Sequence, residues 1–238
     1  YDPDRILYPL KRVGARGEGK WKRITWDEAL TELASKLDAA LKEDPNTIML
    51  KYGRNRTGGT INRFMETLGS ATLLNHTSVC ESSKKCGMEP TWGPDIETPD
   101  FANAKYVLNF GSNVLEASYF HNPLSQRVTE GRVDNQMKIV TFDVRLSNTA
   151  GFSDEWIPVF PATDGAVALA MGHVILREDL QDSGFITDWT NVTVAELKAH
   201  YKQFTPEWAS KISGVPVETI ERIAREFATT KPATLFTY

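Results

Sequence analysis

Apolar and polar positions along the chain follow the helical period and the strand period in turn. Thr25 and Glu28 form a capping-box sequence at the start of the clearest helical segment, residues 26–42. Apolar residues then recur every three or four positions: Ala29, Leu30, Leu33, Ala34 and Leu37. The same spacing predicts helices over 58–68, 121–130, 163–175 and 205–230, the last being a pair of helices joined at Gly214.

Short apolar runs lie between these helices and predict buried strands over 47–52, 106–110, 138–143, 156–160 and 233–238. Strands that alternate with helices are typical of an α/β fold with mainly parallel sheets flanked by helices. Residues 75–93 show no clear period, so we predict a loop there, with a short helix after Cys80.

Composition narrows the possible functions only by exclusion. The formal net charge is −4, which does not favour a nucleic-acid-binding surface. No stretch approaches the roughly 18 consecutive apolar residues that cross a bilayer. The two cysteines, Cys80 and Cys86, are too few for a disulfide framework.

A first candidate site follows the strand at 106–110. Gly111 allows the backbone to approach a ligand closely, and parallel sheets bind phosphates where a strand ends and the next helix begins. Asp143, at the end of the following strand, could accept hydrogen bonds from ribose hydroxyls. Because the segment lacks the G-x-G-x-x-G fingerprint, an ordinary turn at 111–113 explains these residues equally well.

A second candidate site is the segment 160–165. Its simplest interpretation is that Thr163 or Asp164 caps the next helix, and local sequence alone favours this. The functional interpretation is that the Asp164 carboxylate accepts hydrogen bonds from the N1–H and amino group of a guanine. Adenine does not offer this pair of donors, so it would leave polar groups at Asp164 unpaired.

The order of these segments resembles the DMSO-reductase superfamily, whose members bind bis(molybdopterin guanine dinucleotide). The family pattern runs strand–G-S-N, then D-P-R, then A-D-x-W-x-P-x-R-P-G-T-D. The corresponding segments here are 108–113, 140–145 and 154–166. Further segments are also similar to the family: 1–6, 9–14, 24–29, 205–209 and 214–216. Val144, Phe160 and Ala162 depart from this pattern.

The resemblance implies roles for individual residues. Asn109, Gly111, Ser112 and Asn113 are expected to line the pyrophosphate and pterin side of one dinucleotide. Asp143 and Arg145 are expected near the ribose. The guanosine is expected to contact Pro161, Thr163 and Asp164.

The resemblance also places a metal ligand at Cys80, since the family carries Cys, Ser, Asp or selenocysteine at this point of the chain. A thiolate suits a soft, high-valent molybdenum or tungsten ion. Cys86 is the competing candidate, and either cysteine could instead be buried for packing. We favour Cys80 because it follows the Asn75–His76 segment, which resembles thiol-ligated members.

Residues around Cys80 bear on the substrate. Glu81 stands where formate-oxidising members usually carry His, which argues against formate. His76, Lys85 and Arg54 could orient an anionic substrate, with Lys84 and Arg56 nearby. The spacing resembles the branch that handles thiosulfate, polysulfide, tetrathionate or arsenate. A solvated loop face explains the lysines equally well.

We expect this chain to be a piece of a longer polypeptide and to be inactive alone. The expected division begins with an α/β unit over 1–101 that carries the metal-ligand loop and that residues 178–238 could complete. A Rossmann-like guanine-dinucleotide-binding unit is expected over 102–177, and a helical segment with the start of a further strand over 178–238. The resemblance implies a [4Fe-4S] cluster upstream, an iron–sulfur electron-transfer subunit and a membrane anchor subunit. A periplasmic or extracytoplasmic location is favoured, and a cytoplasmic one is possible.

Two other classes of function stay open. A non-catalytic homologue could keep the fold as a scaffold or electron-transfer subunit of a respiratory complex, and would hold no molybdenum or tungsten. A nucleotide-binding module unrelated to molybdenum is the other, and the position of Cys80 argues against it.

Overall fold

The computed structural model describes residues 2–53, 57–93, 98–117 and 121–237. The chain divides into two compact units, Tyr1–Thr91 and Trp92–Tyr238. Residues 178–237 lie in the second unit, because their strand pairs with its sheet and their helices pack on it. The sequence analysis had allowed the alternative that residues 178–238 complete the first unit.

The first unit contains two small sheets and four α-helices among its described residues. Strands β1 (Leu10–Arg12) and β2 (Trp21–Arg23) pair antiparallel, while β3 (Leu50–Tyr52) and β4 (Leu73–Asn75) pair in parallel. The helices are α1 (Trp26–Glu43), α2 (Gly58–Leu68), α3 (Thr77–Cys80) and α4 (Ser82–Trp92). The capping box predicted for α1 is present, with Glu28 N–H donating to Thr25 Oγ1 at 3.1 Å.

Two predictions for this unit are wrong. The strand expected over 47–52 is only three residues long, because a 3₁₀ turn at Pro45–Thr47 precedes it, with Asp44 accepting from Asn46 N–H. The loop expected over 75–93 is mostly helical: α3 was not predicted, whereas the helix predicted after Cys80 is present as α4. The period gave no signal there because α4 buries no residue and so needs no apolar stripe.

The second unit is built on a four-stranded parallel sheet in the order β7-β6-β5-β8. Its strands are β5 (Tyr106–Phe110), β6 (Lys138–Asp143), β7 (Glu155–Pro158) and β8 (Ala233–Thr237). Its helices are α5 (His121–Asn135), α6 (Asn148–Phe152), α7 (Asp164–Arg177), α8 (Ser183–Trp189), α9 (Val194–Tyr201), α10 (Pro206–Ser213) and α11 (Val217–Thr229).

Helices cover both faces of this sheet. Tyr106 and Leu108 of β5 point into a core shared with α7, α10 and α11, whereas Val107 points into a second core that includes Leu124 and Val128 of α5. Strands buried on both faces are the arrangement that parallel sheets require. The predicted α/β architecture with a parallel sheet flanked by helices is therefore confirmed. None of the described helices is long and apolar enough to span a bilayer.

Candidate functional site

The strand order places a crevice at the carboxyl end of β5. After β5 the chain adds β6 and β7 on one side, then returns to add β8 on the other. Open parallel sheets bind ligands outside the strand ends at such a reversal. The first candidate site predicted from the sequence, the segment that follows β5, lies at this crevice.

The end of β5 holds two buried polar atoms that lack a hydrogen bond. Asn109 and Ser112 are 2% and 1% exposed, and neither Asn109 Oδ1 nor Ser112 Oγ has a partner among the described residues. Gly111 between them has φ +65°, and its N–H donates to Phe142 O at 2.8 Å. A buried polar atom left unpaired costs about 1–3 kcal/mol, so this pair of atoms is suited to receive a ligand.

The side chain of Asn113, which follows these residues, is hydrogen-bonded to Thr149 in α6. Its Oδ1 accepts from Thr149 Oγ1 at 2.8 Å and from Thr149 N–H at 3.3 Å. The amide nitrogen of Asn113 and the backbone N–H groups of Ser112 and Asn113 have no acceptor among the described residues. Successive unpaired N–H groups at a strand end form a local site for anions such as phosphate.

Asp143 lies at the end of β6, next to the end of β5. Its carboxylate accepts from Ser147 Oγ at 2.8 Å and from Arg145 N–H at 3.4 Å, so it shapes the turn that leads into α6. The Arg145 guanidinium instead pairs with Glu116 at 3.2 Å. Both predicted residues therefore lie at the sheet edge, each with a protein partner.

The segment after β7 supplies the N-terminus of α7. Thr163 occupies the cap position, but its hydroxyl donates to Phe160 O at 2.6 Å and no side chain caps the helix. Asp164 is the first residue of the helix and is half-buried. The simple capping interpretation is therefore wrong for Thr163, and the first turn of α7 keeps N–H groups that can face an anion.

These three segments lie along one edge of the same sheet. Neighbouring strands are about 4.8 Å apart, so the ends of β5 and β7 are about 10 Å apart. The structure thus brings together the residues predicted for one dinucleotide: Asn109, Gly111, Ser112, Asn113, Asp143, Arg145, Pro161, Thr163 and Asp164. Their contact with a cofactor stays a prediction.

Sequence reasoning missed a group of hydroxyl residues behind this edge: Thr141, Ser147, Thr149 and Ser153. Thr141 is fully buried, and it lies directly beside Asn109 in the register of β5 and β6. A signal was available for Thr141, because Asn109 and Thr141 are each a polar residue flanked by apolar residues within β5 and β6.

The predicted metal-ligand segment lies in the first unit. His76 stands at the start of α3, Cys80 ends it, and Lys85 lies in α4. Cys80 and Cys86 are both exposed, so burial for packing explains neither, and exposure does not choose between them. Arg54 and Arg56 lie outside the described residues. No group of three metal-binding side chains occurs in the described part of the chain.

Comparisons with known proteins agree on one family. The molybdopterin oxidoreductase family matches residues 5–235. Dimethyl sulfoxide reductase DmsA of Haemophilus influenzae is 37% identical over 98% of the chain and 33% of its own length. Thiosulfate reductase molybdopterin-containing subunit PhsA of Salmonella typhimurium is 32% identical over 97% of the chain and 30% of its own length.

A solved structure agrees with these sequence matches. Acetylene hydratase from Pelobacter acetylenicus superposes with a TM-score of 0.81 and 30% identity, over 98% of the chain and 32% of that protein. The chain therefore spans about a third of the length of the relatives it matches.

Proposed function

Because this chain belongs to the molybdopterin oxidoreductase family, we propose that its four-stranded sheet binds one guanine dinucleotide arm of a molybdenum or tungsten bis(molybdopterin guanine dinucleotide) cofactor. The observation that carries the proposal is the pair of buried, unpaired atoms, Asn109 Oδ1 and Ser112 Oγ, at the strand reversal. In this proposal the chain forms part of the catalytic subunit of an oxidoreductase.

The sheet edge offers a group for each part of a dinucleotide. The N–H groups of Ser112 and Asn113 suit pyrophosphate oxygens. The Asp143 carboxylate has two hydrogen bonds and retains capacity to accept from a ribose hydroxyl. Asp164 is half-buried at the edge and can accept from the N1–H and amino group of guanine.

Cys80 is the proposed protein ligand of the metal, and it is exposed at the end of the short helix α3. The bound cofactor would supply two-electron chemistry, including oxygen-atom transfer. His76, Lys85 and Arg54 would attract an anionic substrate and orient it by charge-assisted hydrogen bonds.

The proposed substrate class is a sulfur or arsenic oxyanion or a polysulfide. The name of the similar PhsA subunit specifies thiosulfate, and the more similar DmsA is named for dimethyl sulfoxide. The acetylene hydratase match, whose name describes a hydration, means that this fold alone does not fix the reaction. We further propose a [4Fe-4S] cluster, an iron–sulfur partner subunit and a membrane anchor for the whole protein, on the extracytoplasmic side of a membrane.

Metal analysis tests the catalytic proposal. The parent protein, purified anaerobically, should hold about one molybdenum or tungsten ion per chain. Cys80→Ser should change the spectrum of the bound metal, whereas the matched variant Cys86→Ser should not. The reverse result would move the ligand to Cys86. A parent protein without either metal would instead support the non-catalytic scaffold.

A further inference from the structure

A chain of hydroxyl groups lies behind the end of β5 and links it to α6. Ser153 Oγ donates to Thr149 O at 2.7 Å and lies 2.7 Å from Thr141 Oγ1. Thr141 Oγ1 in turn lies 3.3 Å from Asn109 Nδ2, which also donates to Ser112 O at 2.8 Å. These contacts decide which way the Asn109 amide faces.

The direction follows from counting hydrogens. A carbonyl oxygen only accepts, so the single hydroxyl hydrogen of Ser153 goes to Thr149 O. Thr141 must therefore donate to Ser153, and its oxygen can only accept from Asn109. Ser112 O also only accepts.

Both contacts of Asn109 thus require the amide nitrogen, and each uses one of its two hydrogens. The Oδ1 atom is left as a buried acceptor without a partner among the described residues. The hydrogen-bond network therefore fixes the orientation of the Asn109 amide.

Asn113 is fixed in the opposite sense. Its side-chain atom facing Thr149 accepts from a backbone N–H, so that atom must be Oδ1. The hydroxyl of Thr149 adds a second bond to the same oxygen. The amide nitrogen of Asn113, with two hydrogens to donate, is then the atom that can face a ligand.

We propose that Asn109 and Asn113 recognise groups of opposite hydrogen-bonding character on the cofactor. Asn113 donates to a phosphate oxygen, whereas Asn109 accepts from an O–H or N–H of the ligand and excludes phosphate. Thr141, Thr149 and Ser153 are positioning residues that hold both amides in these orientations. The inference rests on the proposed binding of the dinucleotide at this edge, and it separates two residues that the family resemblance assigns together.

Asn109 can discriminate between ligand groups because a buried, unpaired acceptor is stabilised by a donor and not by another acceptor. A phosphate oxygen carries negative charge and no hydrogen, so bringing it to Asn109 Oδ1 would set two acceptors against each other. A ribose hydroxyl or a ring N–H of the pterin would pair with the same atom. The ribose hydroxyl and the pterin N–H are both hydrogen-bond donors. Ligands that carry only the ribose or only the pterin can therefore show which of the two pairs with Asn109.

The test uses calorimetric titration of the full chain with pyrophosphate, GDP, 2′,3′-dideoxy-GDP and pterin. Asn109→Leu and Asn113→Leu are a matched pair, because both replace an amide by an apolar side chain of the same branching. Thermal unfolding checks that each variant is folded. Asn109→Val, which suits a buried strand, replaces the Leu variant if that one unfolds.

Asn113→Leu should weaken pyrophosphate binding about ten-fold, and Asn109→Leu should change it less than about two-fold. If the donor is the ribose, wild type should prefer GDP to its dideoxy analogue about ten-fold, and Asn109→Leu should abolish that preference. If the donor is the pterin, Asn109→Leu should weaken pterin binding instead.

Two results would overturn the inference while leaving the proposed function standing. One is a loss of pyrophosphate affinity in Asn109→Leu as large as that in Asn113→Leu. The other is tight binding of GDP and pterin that Asn109→Leu leaves unchanged. Wild-type chain that binds neither GDP nor pterin would overturn the proposed function and the inference together.

Discussion

The phenol of Tyr106 donates a 2.8 Å hydrogen bond to the carboxylate of Glu226, although 120 residues separate them in the sequence. The same carboxylate oxygen accepts from Lys138 at 2.7 Å. The bond joins the central strand β5 to α11 and so ties the two ends of the sheet unit together. Burial and the neighbouring Glu226 raise the pKa of Tyr106, which keeps its phenol protonated as the donor.

The first prediction concerns this bond. Tyr106→Phe removes a buried hydroxyl without changing the packing of the ring, and should lower the free energy of unfolding by about 1–2 kcal/mol. Urea denaturation measures the change. Tyr201→Phe is the control, because its hydroxyl has no partner among the described residues, and it should cost much less. Equal losses in the two variants would show that the bond contributes nothing specific.

The second prediction concerns acid stability. Arg225 holds Glu178 through two 2.8 Å bonds and Arg177 adds a third at 2.7 Å, which together lower the pKa of Glu178 to about 2. A carboxylate with a depressed folded-state pKa stabilises the fold above its ordinary pKa, and this stability is lost as the pH falls through the folded value. The melting temperature should therefore fall between about pH 4.5 and 2.

Glu178→Gln should make this fall shallower, because an amide cannot gain a proton over that range. Glu218→Gln removes an exposed acid on α11 that has no ion pair among the described residues, and should leave the profile unchanged. Melting curves recorded from pH 6 to 2 decide the matter. Identical slopes for wild type and Glu178→Gln would contradict the assignment.

The third prediction concerns Ala162, which has φ +63° in the segment before α7. A residue with a Cβ pays roughly 1–2 kcal/mol in this conformation, while glycine adds entropy to the unfolded chain. Ala162→Gly should therefore stabilise the protein by about 0.5–1 kcal/mol. The same change in an exposed helical position, Ala168→Gly, should destabilise it by about 1 kcal/mol. A loss of stability in both variants would contradict the conformation of Ala162.

The fourth prediction concerns the contact between Gly214 and Phe160. Gly214 has φ +76°, and a Cβ built on it would lie 2.9 Å from Phe160 Cζ. Gly214→Ala should cost about 2 kcal/mol, part of it from the backbone and part from the ring. In a Phe160→Ala background the loss should drop to about 1 kcal/mol. An equal loss in both backgrounds would show that the ring is not in contact.

Much of the sheet unit could be predicted because its strands and helices bury regular apolar faces. The strand predicted at 106–110 agrees with β5, and that at 138–143 with β6. The segment with α3 and α4 could not be predicted in the same way, since it lacks a buried stripe. The hairpin of β1 and β2 was missed for the same reason, because all six of its residues are exposed.

The site divides along similar lines. The order of strands, which places Asn109 at the reversal, depends on long-range pairing of β8 with β5 that no local pattern reveals. The orientation of the Asn109 amide depends on the hydroxyls of Thr141 and Ser153 and on the backbone carbonyl of Thr149 in α6. Sequence patterns indicate residue types at strand ends, whereas hydrogen-bond direction comes only from tertiary contacts.

The most direct test of the account is the amount of guanine that acid releases from purified parent protein, compared between wild type and Asp164→Ala. Asp182→Ala is the control, because that aspartate caps α8 in the same unit and belongs to none of the segments that follow β5, β6 and β7. We expect guanine to be released from wild type and from the control, and at least about ten-fold less from Asp164→Ala. Undiminished guanine in Asp164→Ala, or none in wild type, would contradict it.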